Sequence, residues 1–195
     1  MSTAKERLLD AAERLVAERG IEVSSRDIAA AAGQRNNSAV QYHFGSRDAL
    51  HEAVIRRRQV PLEARRRELL DALAASDRLD DTHGLVDALV RPMTELLATG
   101  PTHYARFLEQ VRRHPVLSTP VGIDAEWPAS HEVMRRLGRT GVRRGQALAT
   151  TLFALLADAE RDGHSPDPDD LVAMLVGLLT APSRNLSGVG PVPGV

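Results

Sequence analysis

Ser24-Ser-Arg-Asp-Ile-Ala-Ala-Ala-Ala-Gly33-Gln-Arg-Asn-Asn-Ser-Ala-Val-Gln-Tyr-His-Phe44-Gly-Ser-Arg-Asp48 is the stretch on which the fold turns. Ser24 and Asp27 stand at capping-box spacing, and Ile28, Ala29 and Ala32 form one inner face of a short helix. Ala29 keeps a small side chain where two helices cross closely, and Gly33 supplies the left-handed residue that a tight turn needs. A polar run follows, then a second short helix anchored by Val40 and Phe44 at i, i+4, with Ser46 placed to cap the next one. Capped helix, glycine turn and second helix in this order are the pattern of a helix-turn-helix.

Outward from that core, Thr3 and Glu6 open an earlier helix whose Leu8, Leu9, Ala12, Leu15 and Val16 share a face and which stops at Gly20. Three short helices thus occupy about the first 45 residues. The rest of the chain also shows helical periodicity, cut by Pro61, Pro92, Pro101, Pro115, Pro120, Pro128, Pro166 and Pro168 into longer segments, with a long connection from His114 to Pro128. The fold class is all-α: an N-terminal three-helix helix-turn-helix domain over 1–48, a larger C-terminal helical domain over 49–182, and a disordered tail rich in Gly, Pro and Ser over 183–195.

Composition sets outer limits. The chain has 195 residues, 43% hydrophobic and 26% charged, with a formal net charge of -1, which is ordinary globular composition. It has no cysteine, so thiol nucleophiles, iron–sulfur clusters and Cys-ligated zinc are excluded. Charges run through the first twenty residues, no apolar run is long enough to cross a bilayer, and a cytoplasmic protein is expected. Lys5 is the only lysine among 25 basic residues, so richness in arginine carries less weight than its placement. Residues 1–58 hold ten basic and eight acidic side chains, an asymmetry that points the N-terminal part toward an anionic partner.

With Val40 and Phe44 turned inward, helical rotation places Ser38 and Tyr42 opposite the buried edge, flanked by Ala39 and Gln41. Such a polar and aromatic face suits the major groove of DNA. Asn37 and Gln41 can pair bidentately with adenine, Ser38 can donate or accept, and Ala39 or the Tyr42 ring can meet a thymine methyl. Arg35, Asn36, His43 and Arg47 stand where phosphate contacts would set the register.

The run Ala4 to Gly20, then Ser25-Arg-Asp-Ile-Ala-Ala-Ala-Ala-Gly33, then Val40-Gln-Tyr-His-Phe44-Gly-Ser-Arg47-Asp-Ala-Leu50 resembles the DNA-binding domain of the tetracycline-repressor (TetR) family of bacterial transcription regulators. The resemblance covers about a quarter of the chain. It implies a homodimer whose recognition helix enters the major groove and whose helical C-terminal domain holds an effector and makes the dimer. By position it places Asn37, Ala39 and Tyr42 on bases, Gln41, His43 and Arg47 on phosphates, and Ser25 or Arg26 near the backbone. Two departures stand out. The segment between Gly33 and Phe44 is one residue longer than the usual spacing, and Gln41 replaces a common Tyr, which moves it toward base reading.

The C-terminal part carries no motif with an assignable chemistry. Tyr104 and Phe107 share a helical face, and with Met93, Trp127 and Met134 they form a candidate effector pocket, which His103 would complete for an anionic ligand; a plain core role is the competing reading for the aromatic pair. The helices around Gln146–Glu160 and Leu171–Thr180 are so apolar that Leu148, Leu152, Phe153, Leu156, Leu171, Leu175 and Leu178 are expected either to form a dimer interface or to fill one subunit's core, with the dimer favoured. The runs Arg56–Arg58 and Arg65–Arg67 read as solvated faces, and His103 and Arg106 as surface residues. No catalytic motif, metal-ligand spacing or cofactor loop is present. The function expected is a ligand-responsive repressor, not an enzyme, that binds a near-palindromic double-stranded operator. The rival is a helical small-molecule-binding protein or enzyme that retains the N-terminal helices as scaffold.

Overall fold

The computed structural model describes residues 2–112 and 126–182. The tail over 183–195 and most of the His114–Pro128 connection lie outside the described residues. Nine α-helices run through the described part: α1 (Ala4–Arg19), α2 (Ser25–Ala31), α3 (Ala39–Phe44), α4 (Arg47–Ala75), α5 (Thr82–Ala98), α6 (Tyr104–Val111), α7 (Pro128–Leu137), α8 (Val142–Arg161) and α9 (Pro168–Thr180). No strand occurs among the described residues, and no helix there is long and apolar enough to cross a membrane.

Local chemistry sets the helix starts. The capping box at α1 is complete, with the Glu6 N–H donating to Thr3 Oγ1 at 3.2 Å and the Thr3 N–H donating to the Glu6 carboxylate at 2.6 Å. Ser24 caps α2 by accepting the Asp27 N–H at 3.1 Å, and Ser46 caps α4 by accepting the Ala49 N–H at 3.0 Å. Asp167 caps α9 by accepting the Asp169 N–H at 2.9 Å, and Asp169 and Asp170 in its first turn add negative charge at its positive end.

α4 is the longest element, with 29 residues, or about 43 Å at 1.5 Å per residue. It begins under α3, passes without interruption through the boundary expected at residue 48, and packs on α1, α5 and α7. Pro61 sits inside it and Pro92 inside α5, each removing one backbone donor without ending the helix. α4 and α5 approach closely at Gly84, where an added Cβ would stand 2.5 Å from a Leu73 methyl. α1 packs on α2 within the N-terminal unit and on α6 of the larger body, so two helices, α1 and α4, join the two parts.

α8 and α9 pack on each other, α8 also on α6 and α9 on α5. This corrects the expected interface. Leu148, Leu152, Leu156, Leu171 and Leu175 are buried within the single subunit, while Phe153 and Leu178 are partly covered. The helices are apolar on several sides because α5 and α6 cover much of them. Among the charged and polar residues that face outward on α8 and α9 stand Ala147, Ala173, Gly177 and the half-exposed Met174, with Ala154 partly covered.

Candidate nucleic-acid interface

α2 buries Ile28 and Ala29 completely, and Ala32 follows just beyond its end. Gly33, at φ +68°, turns the chain away, and its neighbour Gln34 donates its N–H to the Ala29 carbonyl at 2.9 Å. The turn that follows is ordered by Asn36. Its Oδ1 accepts the Ser38 N–H at 2.9 Å and its carbonyl accepts the Ala39 N–H at 3.1 Å, so the extra residue of the turn is absorbed in an Asx-type start to α3. With its oxygen held by the Ser38 N–H, the exposed Asn36 side chain has its amide NH2 as the group that could donate to a phosphate.

α3 has two faces. Val40 is buried and Phe44 packs against the core, with the Lys5 ammonium 5.5 Å from the Phe44 ring centre. Opposite them Tyr42 is 83% exposed, and Asn37, Ser38 and Gln41 are exposed beside it. Ala39 departs from expectation: one step before Val40 on the helix, its methyl is buried against the core. The His43 ring meets Tyr42 edge-on at 4.9 Å between centres. Gly45, at φ +81°, lets the chain reverse into α4.

Around this face Ser25 is half-buried, and Arg26 and Arg35 are exposed. Arg47 is partly tied back, donating to the Val23 carbonyl at 3.5 Å and lying 3.6 Å from Glu22. The free cationic groups therefore flank α3 while uncharged hydrogen-bonding side chains occupy its centre. That is the division between register-setting and base-reading contacts expected of a major-groove reader.

Residues 8–54 match the family profile of bacterial regulatory proteins, tetR family. This N-terminal domain belongs to the tetR family. The whole chain has the fold of such regulators. It covers 90% of itself and 94% of NalD, the secondary repressor of the MexAB-OprM multidrug efflux pump in Pseudomonas aeruginosa, at 23% identity and a TM-score of 0.55. It also covers 91% of itself and 98% of a TetR-family member, SCO1917, from Streptomyces coelicolor A3, at 25% identity and a TM-score of 0.52. No curated protein matches the chain.

Behind the tetR-family domain lies a polar contact that the sequence pattern concealed. Glu13 of α1 is buried, and its carboxylate accepts from Arg57 Nη2 at 2.8 Å and from Arg58 Nε and Nη2 at 2.9 and 2.8 Å. Thr102 Oγ1 and the His103 N–H approach the same carboxylate at 3.4 Å from the entry to α6. Burial pushes the Glu13 pKa up, but the hydrogen bond and charge of Arg58, then of Arg57, outweigh it and hold the group below its ordinary 4.5. Arg57 and Arg58 are therefore not a solvated face. Arg66 is not either: it is buried and donates to Gln59 and to Ser130 Oγ, at 3.1 and 3.0 Å. A charged residue beside Leu9 and Val16 on an otherwise apolar stripe was the available signal for Glu13.

The expected effector residues stand in different surroundings among the described residues. Tyr104 and Phe107 are fully buried, stacked at 6.3 Å between centres, with the buried His51 edge-on to Phe107 at 6.1 Å. Met93 is buried, whereas Met134 is exposed and Trp127 half-buried at the start of α7. Burial raises the Tyr104 pKa well above the normal tyrosine range. His103 stands apart from these, half-buried, with its Nδ1 2.7 Å from Arg106 Nη2.

Proposed function

We propose that this protein is a ligand-responsive transcriptional regulator, a repressor that binds a near-palindromic operator as a homodimer. One observation carries the reading: α3 buries Val40 while leaving Gln41 and the 83% exposed Tyr42 toward solvent. A protein that kept these helices as scaffold would have no need of an uncharged hydrogen-bonding face flanked by the exposed Arg26 and Arg35. Asn37, Ser38, Gln41 and Tyr42 read bases; Arg26, Arg35, His43 and Arg47 set the register on phosphates, and Ser25 approaches the backbone at the start of α2.

The dimer forms through the outward faces of α8 and α9, where Ala147, Ala154, Ala173 and Gly177 allow close helix approach and Met174 loses its exposure. Two recognition helices related by a two-fold axis then fall about one helical turn of DNA apart, or somewhat more. An effector that prefers a subunit shape with mis-spaced recognition helices weakens DNA binding by the factor by which DNA weakens effector binding. Titration of the protein against fragments of its own upstream region at several salt concentrations tests the proposal. Sequence-selective binding is the expected result; equal affinity for all duplexes refutes it.

A further inference from the structure

Segments far apart in sequence converge on a cleft of about 550 Å³ formed by the α5–α6 loop, the first turn of α6, the end of α8 and the α8–α9 loop. Its polar lining is Thr102, His103, Arg106, Glu160, His164 and Ser165. The acidic group is the withdrawn one. The Glu160 side chain is only 4% exposed, and its oxygens accept the Ala105 N–H at 3.3 Å, the Arg106 N–H at 3.0 Å and Arg106 Nε at 3.3 Å. Its charge is thus directed at the start of α6.

Of the basic groups, Arg106 is 20% exposed and shares its charge with Glu160, whereas His164 is open to solvent. Arg106 donates Nη2 to His103 Nδ1 at 2.7 Å; arginine can only donate, so the neutral ring carries its proton on Nε2. Arg106 Nη1 makes no hydrogen bond to a described residue, and His164 is exposed at the rim. Hydrogen-bond donors on a guanidinium and two imidazoles therefore outnumber the acceptors left open to a visitor. From this we infer that the cleft binds a small organic carboxylate, held by Arg106 and His164. The volume suits a compact metabolite, and a planar guanidinium matches a carboxylate in geometry as well as charge.

Occupancy has a direct route to the tetR-family domain. Thr102 Oγ1 and the His103 N–H lie 3.4 Å from Glu13 Oε1 on α1. His103 also borders a second groove whose other walls are Arg7, Asp10 and Arg14 of α1 and the end of α2. A carboxylate that draws Arg106 away from His103 shifts the loop on which both Glu13 contacts depend. This output rests on the regulator reading above; the binding step does not.

Calorimetric titration of the full chain, without DNA, with benzoate, succinate and benzylamine tests the binding step. The carboxylates are expected to bind and the amine to stay silent. Arg106→Gln and the rim variant His164→Ala should each weaken carboxylate binding by about tenfold or more, while their melting temperatures show that the fold is intact. Benzylamine binding in preference to benzoate, no carboxylate binding at millimolar concentration, or unchanged binding in both folded variants overturns the assignment. Anisotropy with an operator fragment tests the output: carboxylate should release DNA from the wild type, while Glu13→Gln should bind carboxylate normally and release less. Intact carboxylate binding with no sequence-selective DNA binding removes the regulator reading alone; the reverse removes the cleft alone.

Discussion

Glu13 on α1 and Arg58 on α4 form a two-point pair, with Arg58 Nε and Nη2 donating to separate carboxylate oxygens at 2.9 and 2.8 Å. The carboxylate is almost wholly withdrawn from water and the guanidinium about a third exposed. Breaking a buried pair by removing one partner leaves an uncompensated charge: Arg58 would lose its carboxylate, while Arg57 would keep Asp10, 2.6 Å from its Nη1. Glu13→Ala is therefore expected to destabilise the protein by about 3 kcal/mol, toward the lower end of such losses because the arginines retain partial access to water. Urea unfolding measures it. A loss within the scatter of surface substitutions would mean that the arginines find other partners.

The two buried carboxylates respond to pH with opposite signs. Glu13 has its folded-state pKa depressed below 4.5, so its contribution is present above that value and fades as pH falls through the folded pKa. Glu160 has its pKa raised, by burial first, against the hydrogen bonds from α6; its contribution is fullest below 4.5 and is lost as pH rises through the raised value. Relative to wild type, Glu13→Gln should therefore look progressively worse, and Glu160→Gln progressively better, as pH is taken upward from about 4. Chemical denaturation of the three proteins across that range decides it. Parallel curves for the two variants would contradict the assignment.

Much of this architecture was legible because its determinants are local. Thr3 with Glu6, Ser24 with Asp27, and Ser46 before Arg47 announce helix starts through hydrogen bonds spanning three residues. The Val40 and Phe44 spacing fixes the inward face of α3 in the same local way. What stayed hidden depends on chain segments distant in sequence. Arg58 meets Glu13 across 45 positions, and Arg106 meets Glu160 across 54, so a basic run that reads as solvated becomes an interior contact. Likewise, the apolar circumference of α8 and α9 could not distinguish cover supplied by α5 and α6 from cover supplied by a second subunit. Ala39 was misplaced for a subtler reason: a side chain on the shoulder of a six-residue helix is buried by whatever the helix rests on.

Met174 offers the sharpest test of the subunit contact. It is 54% exposed, so Met174→Arg should alter the stability of the isolated fold by no more than about 0.5 kcal/mol, as for an ordinary surface change. At a two-fold axis the same patch faces itself, and the substitution sets like charges against each other. Sedimentation should then show wild-type dimers and variant monomers at micromolar concentration. A dimer that survives the substitution would place the contact elsewhere.

Arg26 and Arg35 separate affinity from specificity. Each is exposed, and neither has an ion pair among the described residues. Replacing either by Ala should weaken binding to every duplex alike and lower the salt-dependence slope by about 1. Binding isotherms on specific and scrambled duplexes at four salt concentrations would show it. An unchanged slope would mean that the side chain does not reach a phosphate.

Gln41 and Tyr42 should behave in the opposite manner. Both are exposed on α3, so truncating them removes almost no packing, and thermal stability should stay near wild type. Gln41→Ala should lose about 1 to 3 kcal/mol of discrimination at one base pair in each half-site while leaving scrambled-duplex affinity unchanged. Tyr42→Ala should act at a neighbouring pair, by loss of contact to a thymine methyl. Saturation of the operator with single-base substitutions, measured against each variant, locates the two pairs. Since Gln41 and Tyr42 are adjacent on a helix, their exposed side chains project about 100° apart, and the affected pairs must be close together. Uniform weakening across all sequences would instead make Gln41 a backbone contact, with base reading left to Asn37, Ser38 and Tyr42.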